Sequence, residues 1–150
     1  MDHTEEIFTS YCDAVYRLAL SYTRSPQEAE DVCQTVFLKY MEHTVTPGKE
    51  KSWLMQVTAN QCRDLLRSGW WKKTVPLEQA PIHPGSVDND LYQTVMSLPP
   101  KYRVVIYLQY YEEYSTKEIA ALLRISQSAV TTRLQRGREM LKSILGEVTL

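Results

Sequence analysis

The side chains best suited to binding lie near the carboxyl end of the sequence and follow one another at helical spacing. They combine hydroxyl, amide and guanidinium groups, and they are Gln127, Ser128, Thr131, Thr132, Arg133 and Arg136. Hydroxyl and amide groups hydrogen-bond to base edges or phosphates, and arginine binds guanine or phosphate. Because Ser128, Thr131 and Thr132 would share one side of a helix, this segment predicts contact with nucleic acid.

Residue patterns of common enzymes are absent from the sequence. The three histidines form no HExxH motif, the five glycines form neither GxGxxG nor GxxxxGK[ST], and GxSxG is missing. Cys12, Cys33 and Cys62 have neither the even number of a disulfide framework nor zinc-site spacing. Their helical context favours small buried hydrophobic residues. We therefore expect no enzyme activity, no metal and no cofactor.

The composition is typical of a soluble globular protein. The 150 residues carry 17 lysines and arginines against 18 acidic residues, a net charge of −1, and 43% of them are hydrophobic. No apolar run approaches the roughly 18–20 residues that a membrane span needs. The chain also begins with acidic residues where a signal peptide would be basic. These features predict a cytoplasmic protein.

Charge alternates in four blocks along the chain. Residues 1–48 carry 3 basic and 8 acidic side chains, and residues 49–73 carry 6 and 2. Residues 74–93 carry 0 and 3, and residues 94–150 carry 8 and 5. Chance variation on solvated faces would give this pattern, and so would two separate contacts with polyanions.

A flexible linker is indicated over residues 74–90 by Pro76, Pro81, Pro84 and Gly85. It separates a first body, residues 1–73, from a second body, residues 91–150. Both bodies show helical periodicity, and no strand pattern of comparable strength occurs. The fold class is therefore predicted to be all-α, with two small helical domains.

Three helices are predicted in the first body, because apolar residues recur every three or four positions. Ser25-Pro26-Gln27-Glu28 fits a capping box with proline at the first helical position. The residues expected to face inward are Phe8, Tyr11, Cys12, Val15, Leu18, Ala19 and Tyr22, then Ala29, Val32, Cys33, Val36, Phe37, Tyr40 and Met41, then Trp53, Leu54, Val57, Leu65 and Leu66.

The second body predicts a helix-turn-helix after two shorter helices. Ser115-Thr116-Lys117-Glu118 fits a capping box, and Ser126 can cap the helix that follows the turn at Arg124-Ile125. A polar and basic second helix is typical of major-groove readers, although a generic helical hairpin would look similar. The apolar residues expected inside are Val105, Ile106, Leu108, Tyr110, Ile119, Ala120, Leu122, Leu123, Val130, Leu134, Leu141 and Leu145.

Three segments resemble the extracytoplasmic-function group of bacterial sigma factors. Residues 27–39, QEAEDVCQTVFLK, resemble its polymerase-binding helix, and residues 52–60, SWLMQVTAN, with residues 64–67, DLLR, resemble its promoter-melting helix. Residues 98–103, LPPKYR, then Glu118-Ile119-Ala120 and the segment from Ser126 to Arg136 resemble its second DNA-binding domain. Nearly the whole chain except the linker is covered.

The resemblance implies roles for both domains. Sigma region 2, a bundle of three to four helices over residues 1–73, would bind the beta-prime clamp helices of core RNA polymerase and melt the −10 element. Its polymerase contacts would be Glu30, Asp31 and Gln34, although Thr35 departs from the acidic residue often found there. Its DNA contacts would be Asn60, Arg63 and Arg67. The loop from His43 to Glu50 would capture a flipped base.

For the tryptophans near these contacts, two roles are possible. Trp53 could anchor the core or stack on a base. Trp70 and Trp71 could stack on single-stranded bases or cap the domain core.

The acidic linker could mimic RNA in the polymerase or serve as a solvated tether.

Sigma region 4, residues 91–150, would read the −35 element as a duplex through Gln127, Ser128, Thr131, Thr132, Arg133 and Arg136, and would contact the beta flap. Ser128-Ala129 replaces a common Gly-Thr, Thr131 stands where lysine is frequent, and Arg124 stands where glycine is frequent. Many members of the family are held inactive by an anti-sigma factor.

An alternative sigma factor that recruits core polymerase to particular promoters is therefore expected. A helix-turn-helix regulator acting without polymerase and a sigma-like interaction protein are the alternatives.

Overall fold

The computed structural model describes residues 3–68 and 89–146, and in those ranges every regular element is an α-helix. The chain divides into two compact units, Met1–Val75 and Pro76–Leu150. Trp70, Trp71 and the expected linker up to residue 88 lie outside the described residues. No helix in the described ranges is long and apolar enough to cross a membrane.

Three helices form the first unit: α1 (His3–Thr23), α2 (Pro26–Glu42) and α3 (Glu50–Arg67). Each of the three packs against the other two. The interior is largely aliphatic, and its most buried members include Val15, Leu18, Ala19, Ala29, Val36, Leu54, Ala59 and Cys62. Three amphipathic helices can bury one continuous core in this way without any strand.

The break between α1 and α2 follows the predicted signals. Arg24 ends α1 in the left-handed region with a φ of 58°. Ser25 caps α2, and its hydroxyl oxygen accepts a hydrogen bond from the Glu28 backbone N–H at 3.2 Å. Proline follows at the first helical position, where a missing N–H costs nothing. The predicted cap by Ser25 is confirmed, whereas of the two hydrogen bonds of the predicted capping box only the one from the Glu28 N–H is seen.

Several core predictions for the first unit are wrong at the edges of the apolar stripes. Phe8 is 50% exposed and Met41 59% exposed, although Phe8 still packs edge-on against the Phe37 ring at 5.0 Å. The partly exposed residues among those expected inside are Tyr11, Cys12, Cys33, Trp53, Val57, Leu65 and Leu66. Leu20 and Met55 are buried instead. Periodicity locates a face, and tertiary packing decides how wide the buried part of it is.

Four helices form the second unit: α4 (Asn89–Met96), α5 (Pro100–Tyr110), α6 (Thr116–Leu123) and α7 (Gln127–Leu145). Helix α7 packs against α4, α5 and α6. The core residues include Tyr92, Val105, Leu108, Ile119, Val130, Leu134 and Leu141. Tyr110, expected inside, is 44% exposed, and Leu145 is half-buried.

Arg103 joins α4 to α5 from inside the core, where the sequence predicted no role for it. Its side chain is only 2% exposed, and its guanidinium donates to the carbonyl oxygen of Leu98 at 2.9 Å. A weaker bond reaches the Met96 carbonyl at 3.5 Å. Met96 is the last residue of α4 and Leu98 lies in the turn that follows, so the buried arginine ties the end of α4 and this turn to α5.

Candidate polymerase and nucleic-acid interfaces

The expected polymerase contacts lie on the solvent side of α2. Glu30, Asp31 and Gln34 are all exposed, while Ala29, Val32 and other residues of the same helix are buried and fix its orientation. Asp31 and Gln34 are one turn apart and share a face. They present a carboxylate and an amide, which together can pair with arginines of a partner helix.

Glu30 lies on the side of α2 that is close to α1. Burial and, after it, the charge of the Glu30 carboxylate raise the pKa of Tyr16 on α1. The same carboxylate adds to the effects of burial and of Cys12 that raise the pKa of Cys33 to about 12. Because Glu30 precedes Gln34 by four positions, it also lies one turn from that residue.

Leu38 and Met41 extend the Asp31–Gln34 face and were not predicted as site residues. Leu38 is 57% exposed, and it follows Gln34 by one turn. Met41 follows Leu38 by three positions and is also exposed. We call Asp31, Gln34, Leu38 and Met41 the α2 face. The sequence held one signal for this surface, because Leu38 is a large apolar residue outside the predicted apolar stripe of α2. Exposed apolar patches often mark interaction sites.

The expected contacts on α3 form a hydrogen-bonded row. Gln56 Nε2 donates to Asn60 Oδ1 at 3.2 Å, and the Arg63 guanidinium donates to the same oxygen. Asn60 and Arg63 are half-buried, and Arg67 is exposed one turn beyond Arg63. The structure thus brings Asn60 and Arg63 into contact and leaves Arg67 open to solvent. This row offers amide and guanidinium donors to bases or phosphates.

The loop between α2 and α3, residues 43–49, is held at both ends. His43 Nδ1 lies 2.7 Å from the Lys39 carbonyl oxygen, and its ring is 5.4 Å from that of Trp53. The Gly48 N–H donates to Glu50 Oε1 at 2.9 Å. Trp53 is half-buried and also packs edge-on against Tyr40 at 5.8 Å. Trp53 therefore connects the loop to the core.

The helix-turn-helix of the second unit is formed by α6 and α7. Ser115 and Glu118 make the predicted capping box in full, so that prediction is confirmed. Arg124 turns the chain with a φ of 58°, and the Ser126 hydroxyl oxygen caps α7 by accepting the Ala129 N–H at 3.0 Å. The two helices pack against each other, which fixes the direction of α7.

The predicted DNA-reading residues lie at the start of α7. The exposed ones are Gln127, Ser128, Thr131, Thr132 and Arg136, whereas Arg133 is half-buried beside Val130 and Leu134. The Thr131 hydroxyl donates to the Gln127 carbonyl at 3.0 Å. Thr131 is exposed, and its hydroxyl oxygen can still accept from a base amino group while its methyl group can contact a thymine methyl.

Helix α5 packs against α7 on the side that carries Gly137 and Arg138. A Cβ atom built on Gly137 would lie 3.0 Å from Cγ1 of Ile106, so the backbones cross closely at this point. Arg138 on α7 donates to the Tyr110 hydroxyl at 3.0 Å and to Gln109 Oε1 at 2.7 Å. Hydrogen bonds with Arg136 and Lys101 outweigh burial and lower the pKa of Tyr102.

Neither a metal site nor a reactive thiol marks the described residues. They contain no group of three or more histidine, cysteine or acidic side chains that could hold a metal ion. Burial is the main cause that raises the pKa of the Cys62 thiol, and Cys33 adds a smaller effect. For Cys12, burial is again the main cause of the raised pKa, followed by the charge of Asp13. Cys62 is buried as predicted, whereas Cys12 and Cys33 are partly exposed, which corrects that part of the prediction.

Comparison with known proteins assigns both units to one family. The family model for sigma-70 region 2 matches residues 7–72, and that for sigma-70 region 4 matches residues 88–141. The extracytoplasmic-function sigma factor SigM of Bacillus subtilis is 31% identical, over 93% of each chain. The sigma factor CarQ of Myxococcus xanthus is 30% identical over 99% of this chain and 92% of its own.

A solved structure agrees with the fold. The sigma factor RpoE of Bartonella quintana, in a co-crystal with the anti-sigma factor NepR, matches with a TM-score of 0.71. The match covers 94% of this chain and 95% of that one at 20% identity, so it supports the all-α architecture alone. The chain belongs to the sigma-70 family of RNA polymerase sigma factors, in its extracytoplasmic-function group.

Proposed function

We propose that this sigma factor binds core RNA polymerase through the α2 face and holds promoter DNA with α3 and α7. Sigma region 2, residues 1–73, would melt the −10 element, and sigma region 4, residues 91–150, would read the −35 element, with residues 74–90 as a tether. The chain would carry out no reaction of its own. The two matched sigma regions, each presenting its exposed polar side chains, support this proposal most strongly.

The α2 face has the chemistry that a helix of the polymerase clamp requires. Asp31 and Gln34 offer acceptors for arginine or lysine, and charge-assisted hydrogen bonds of this kind are the strong ones. Leu38 and Met41 add apolar area that stays uncovered in the free protein. Burying such area stabilises a complex by roughly 25 cal/mol per Å². Polar contacts would set the register, and the apolar pair would add affinity.

Charge reversal on the α2 face tests polymerase binding. Asp31→Arg should weaken capture of core RNA polymerase at least about tenfold, because it places a cation against the cations of the partner. Glu6→Arg is the matched control, since Glu6 is an exposed acidic residue of α1 in the same unit. Both variants should fold normally by circular dichroism. Equal capture of core enzyme by the two variants would contradict the proposal.

Strand opening would use the α3 row and the preceding loop. Asn60 and Arg63 hold each other in place, so their donors would meet DNA in a preset arrangement, and Arg67 would add a phosphate contact. The loop of residues 43–49 has short polar side chains in reach of a base. Capture of an extruded base would offset the few kcal/mol that unstacking costs.

Run-off transcription distinguishes the proposal from its two alternatives. Purified core enzyme with this chain should give promoter-specific transcripts from genomic templates that core enzyme alone does not give. Capture of core enzyme without any specific transcript would favour a sigma-like interaction protein. Specific binding to a duplex without core enzyme would favour an independent regulator. Each alternative therefore has its own outcome.

An anti-sigma factor is a further expected partner. The Bartonella quintana sigma factor was crystallised with the anti-sigma factor NepR, and its fold is shared by this chain. The exposed apolar side chains of the α2 face would need cover whenever polymerase is absent. Co-purification of this chain with a candidate anti-sigma factor, followed by competition with core enzyme, would test the assignment.

A further inference from the structure

Glu50 is a buried carboxylate at the first turn of α3, and the DNA contacts proposed above do not use it. Its side chain is only 9% exposed. A carboxylate removed from water is costly unless hydrogen bonds compensate it. One oxygen of Glu50 has a hydrogen bond: Oε1 accepts the Gly48 N–H at 2.9 Å. The other oxygen, Oε2, lies 3.6 Å from Nε2 of the exposed His3, which is too long for a hydrogen bond.

The Gly48 contact fixes the carboxyl-terminal half of the loop. Gly48 has a φ of 87°, a conformation that favours glycine. The neighbouring turn is closed by the Lys49 N–H, which donates to the Thr46 carbonyl at 2.9 Å. Without Glu50 the Gly48 N–H would lose its acceptor, and the αL turn would lose the contact that ties it to α3.

The other half of the loop is fixed by aromatic packing near the same carboxylate. His43 lies between the Lys39 carbonyl and the Trp53 ring. Trp53 packs on Tyr40, and burial together with the Glu50 charge raises the pKa of Tyr40. Thr44 and Thr46 remain exposed between the two fixed ends. The loop is thus held at both of its ends, and the exposed side chains of Thr44 and Thr46 lie between these ends.

We propose that Glu50 is a positioning residue for promoter opening, which holds the 43–49 loop in the shape that selects one base of the melted −10 strand. The inference rests on the proposed role of this loop. Glu50 touches no base itself. Its carboxylate acts through the Gly48 amide, because a loop ordered before binding loses less conformational entropy when the base arrives.

Two measurements on the full-length chain test this positioning. Hydrogen exchange of the Gly48 amide in the free protein should accelerate about tenfold or more in Glu50→Ala, since a hydrogen bond to a charged group is lost. Transcription by holoenzyme should be compared on four templates that differ only at the base the loop selects. Glu50→Ala should reduce the preference for the best base about fivefold or more toward equality, as expected when preorganisation is lost.

Two control variants separate positioning from general damage. Glu50→Gln keeps an acceptor for the Gly48 N–H and should restore most of the base preference. Glu42→Ala removes an exposed carboxylate at the other end of the loop and should change neither measurement. A uniform loss of transcription on all four templates in Glu50→Ala, with the preference intact, would overturn the inference and leave only a structural role.

A different result would show that the 43–49 loop does not select a base, independently of the role of Glu50. If Thr44→Ala with Thr46→Ala leaves the base preference of the holoenzyme unchanged, the loop selects no base, whatever Glu50 does. Unchanged Gly48 exchange in Glu50→Ala would overturn the positioning of the loop independently of any DNA result. The two proposals therefore have separate tests.

Discussion

At the scale of single residues, Arg124 occupies the turn between α6 and α7 in a conformation that costs energy. Its φ of 58° lies in the left-handed region, where an L-residue with a side chain is disfavoured by about 1–2 kcal/mol. The backbone there still closes α6, because the Arg124 N–H donates to the Ala120 carbonyl. The turn thus has the backbone hydrogen bond that closes α6, but its backbone conformation is one that glycine adopts more easily than arginine.

Replacement of Arg124 by glycine should stabilise the second unit. The gain in the free energy of unfolding should reach up to about 1 kcal/mol, since relief of the strain exceeds the added flexibility of the unfolded chain. Chemical denaturation of the full chain would measure it. Lys117→Gly, an exposed change inside α6, should instead lose about 1 kcal/mol. Destabilisation by both substitutions would contradict this explanation.

At the scale of elements, the close crossing of α5 and α7 holds the DNA-reading helix in place. Gly137 lies against Ile106 and Tyr102, and the Cβ contact distance of 3.0 Å leaves no space for a larger side chain. Arg138 adds hydrogen bonds to α5 one residue later. The direction in which α7 presents Arg136 is therefore set by packing behind the helix.

Gly137→Leu should force α7 away from α5. Overpacking of this kind costs about 1–3 kcal/mol or more, and the loss should appear as a lower unfolding midpoint and weaker binding to the −35 duplex by holoenzyme. Ser143→Leu puts the same side chain on an exposed position of α7 and should change neither quantity. An unchanged midpoint for Gly137→Leu would show that the crossing is loose.

Sequence reasoning located the helices and their amino-terminal caps well, because Ser25, Ser115 and Ser126 act through contacts three residues away. It failed where long-range packing decides the outcome. Met41 and Tyr110 were expected inside, but each lies at the edge of a stripe that its neighbours do not cover. Arg103 and Glu50 are charged residues that are buried against backbone groups, and no local pattern reveals where those groups will be.

For the candidate site, helical spacing indicated that Asp31, Gln34 and the start of α7 are exposed, and the structure agrees. Their roles came from the family resemblance and remain predictions. Met41 was missed because its place in the apolar stripe assigned it to the core, and Leu38, outside that stripe, was given no role. The direction of Glu30 toward Tyr16 depends on how α1 packs on α2, which spacing alone does not define.

At the scale of the whole molecule, blocks with an excess of acidic side chains alternate with blocks with an excess of basic ones, while the total stays at −1. A chain with so little net charge has little general attraction for DNA. We therefore expect the free chain to bind DNA weakly and core RNA polymerase to supply the missing affinity.

Thr131→Lys should make DNA binding more dependent on salt. It adds one cation at the exposed start of α7, so log affinity for a −35 duplex against log salt should steepen by about 0.9. Filter binding of the holoenzyme, this chain with core RNA polymerase, across a salt series would measure the slope. Ser143→Lys adds the same charge near the far end of α7 and should alter the slope less. Equal slopes for the two variants would argue against contact between the start of α7 and DNA.

The raised pKa values of the cysteines bear on how oxidative signals could reach this protein. Peroxide attacks the thiolate, and with a pKa of about 12 only roughly one Cys33 in ten thousand or fewer is ionised near neutral pH. Cys62 is shielded further by burial. Cys33 and Cys62 are therefore poor targets for direct attack by peroxide near neutral pH.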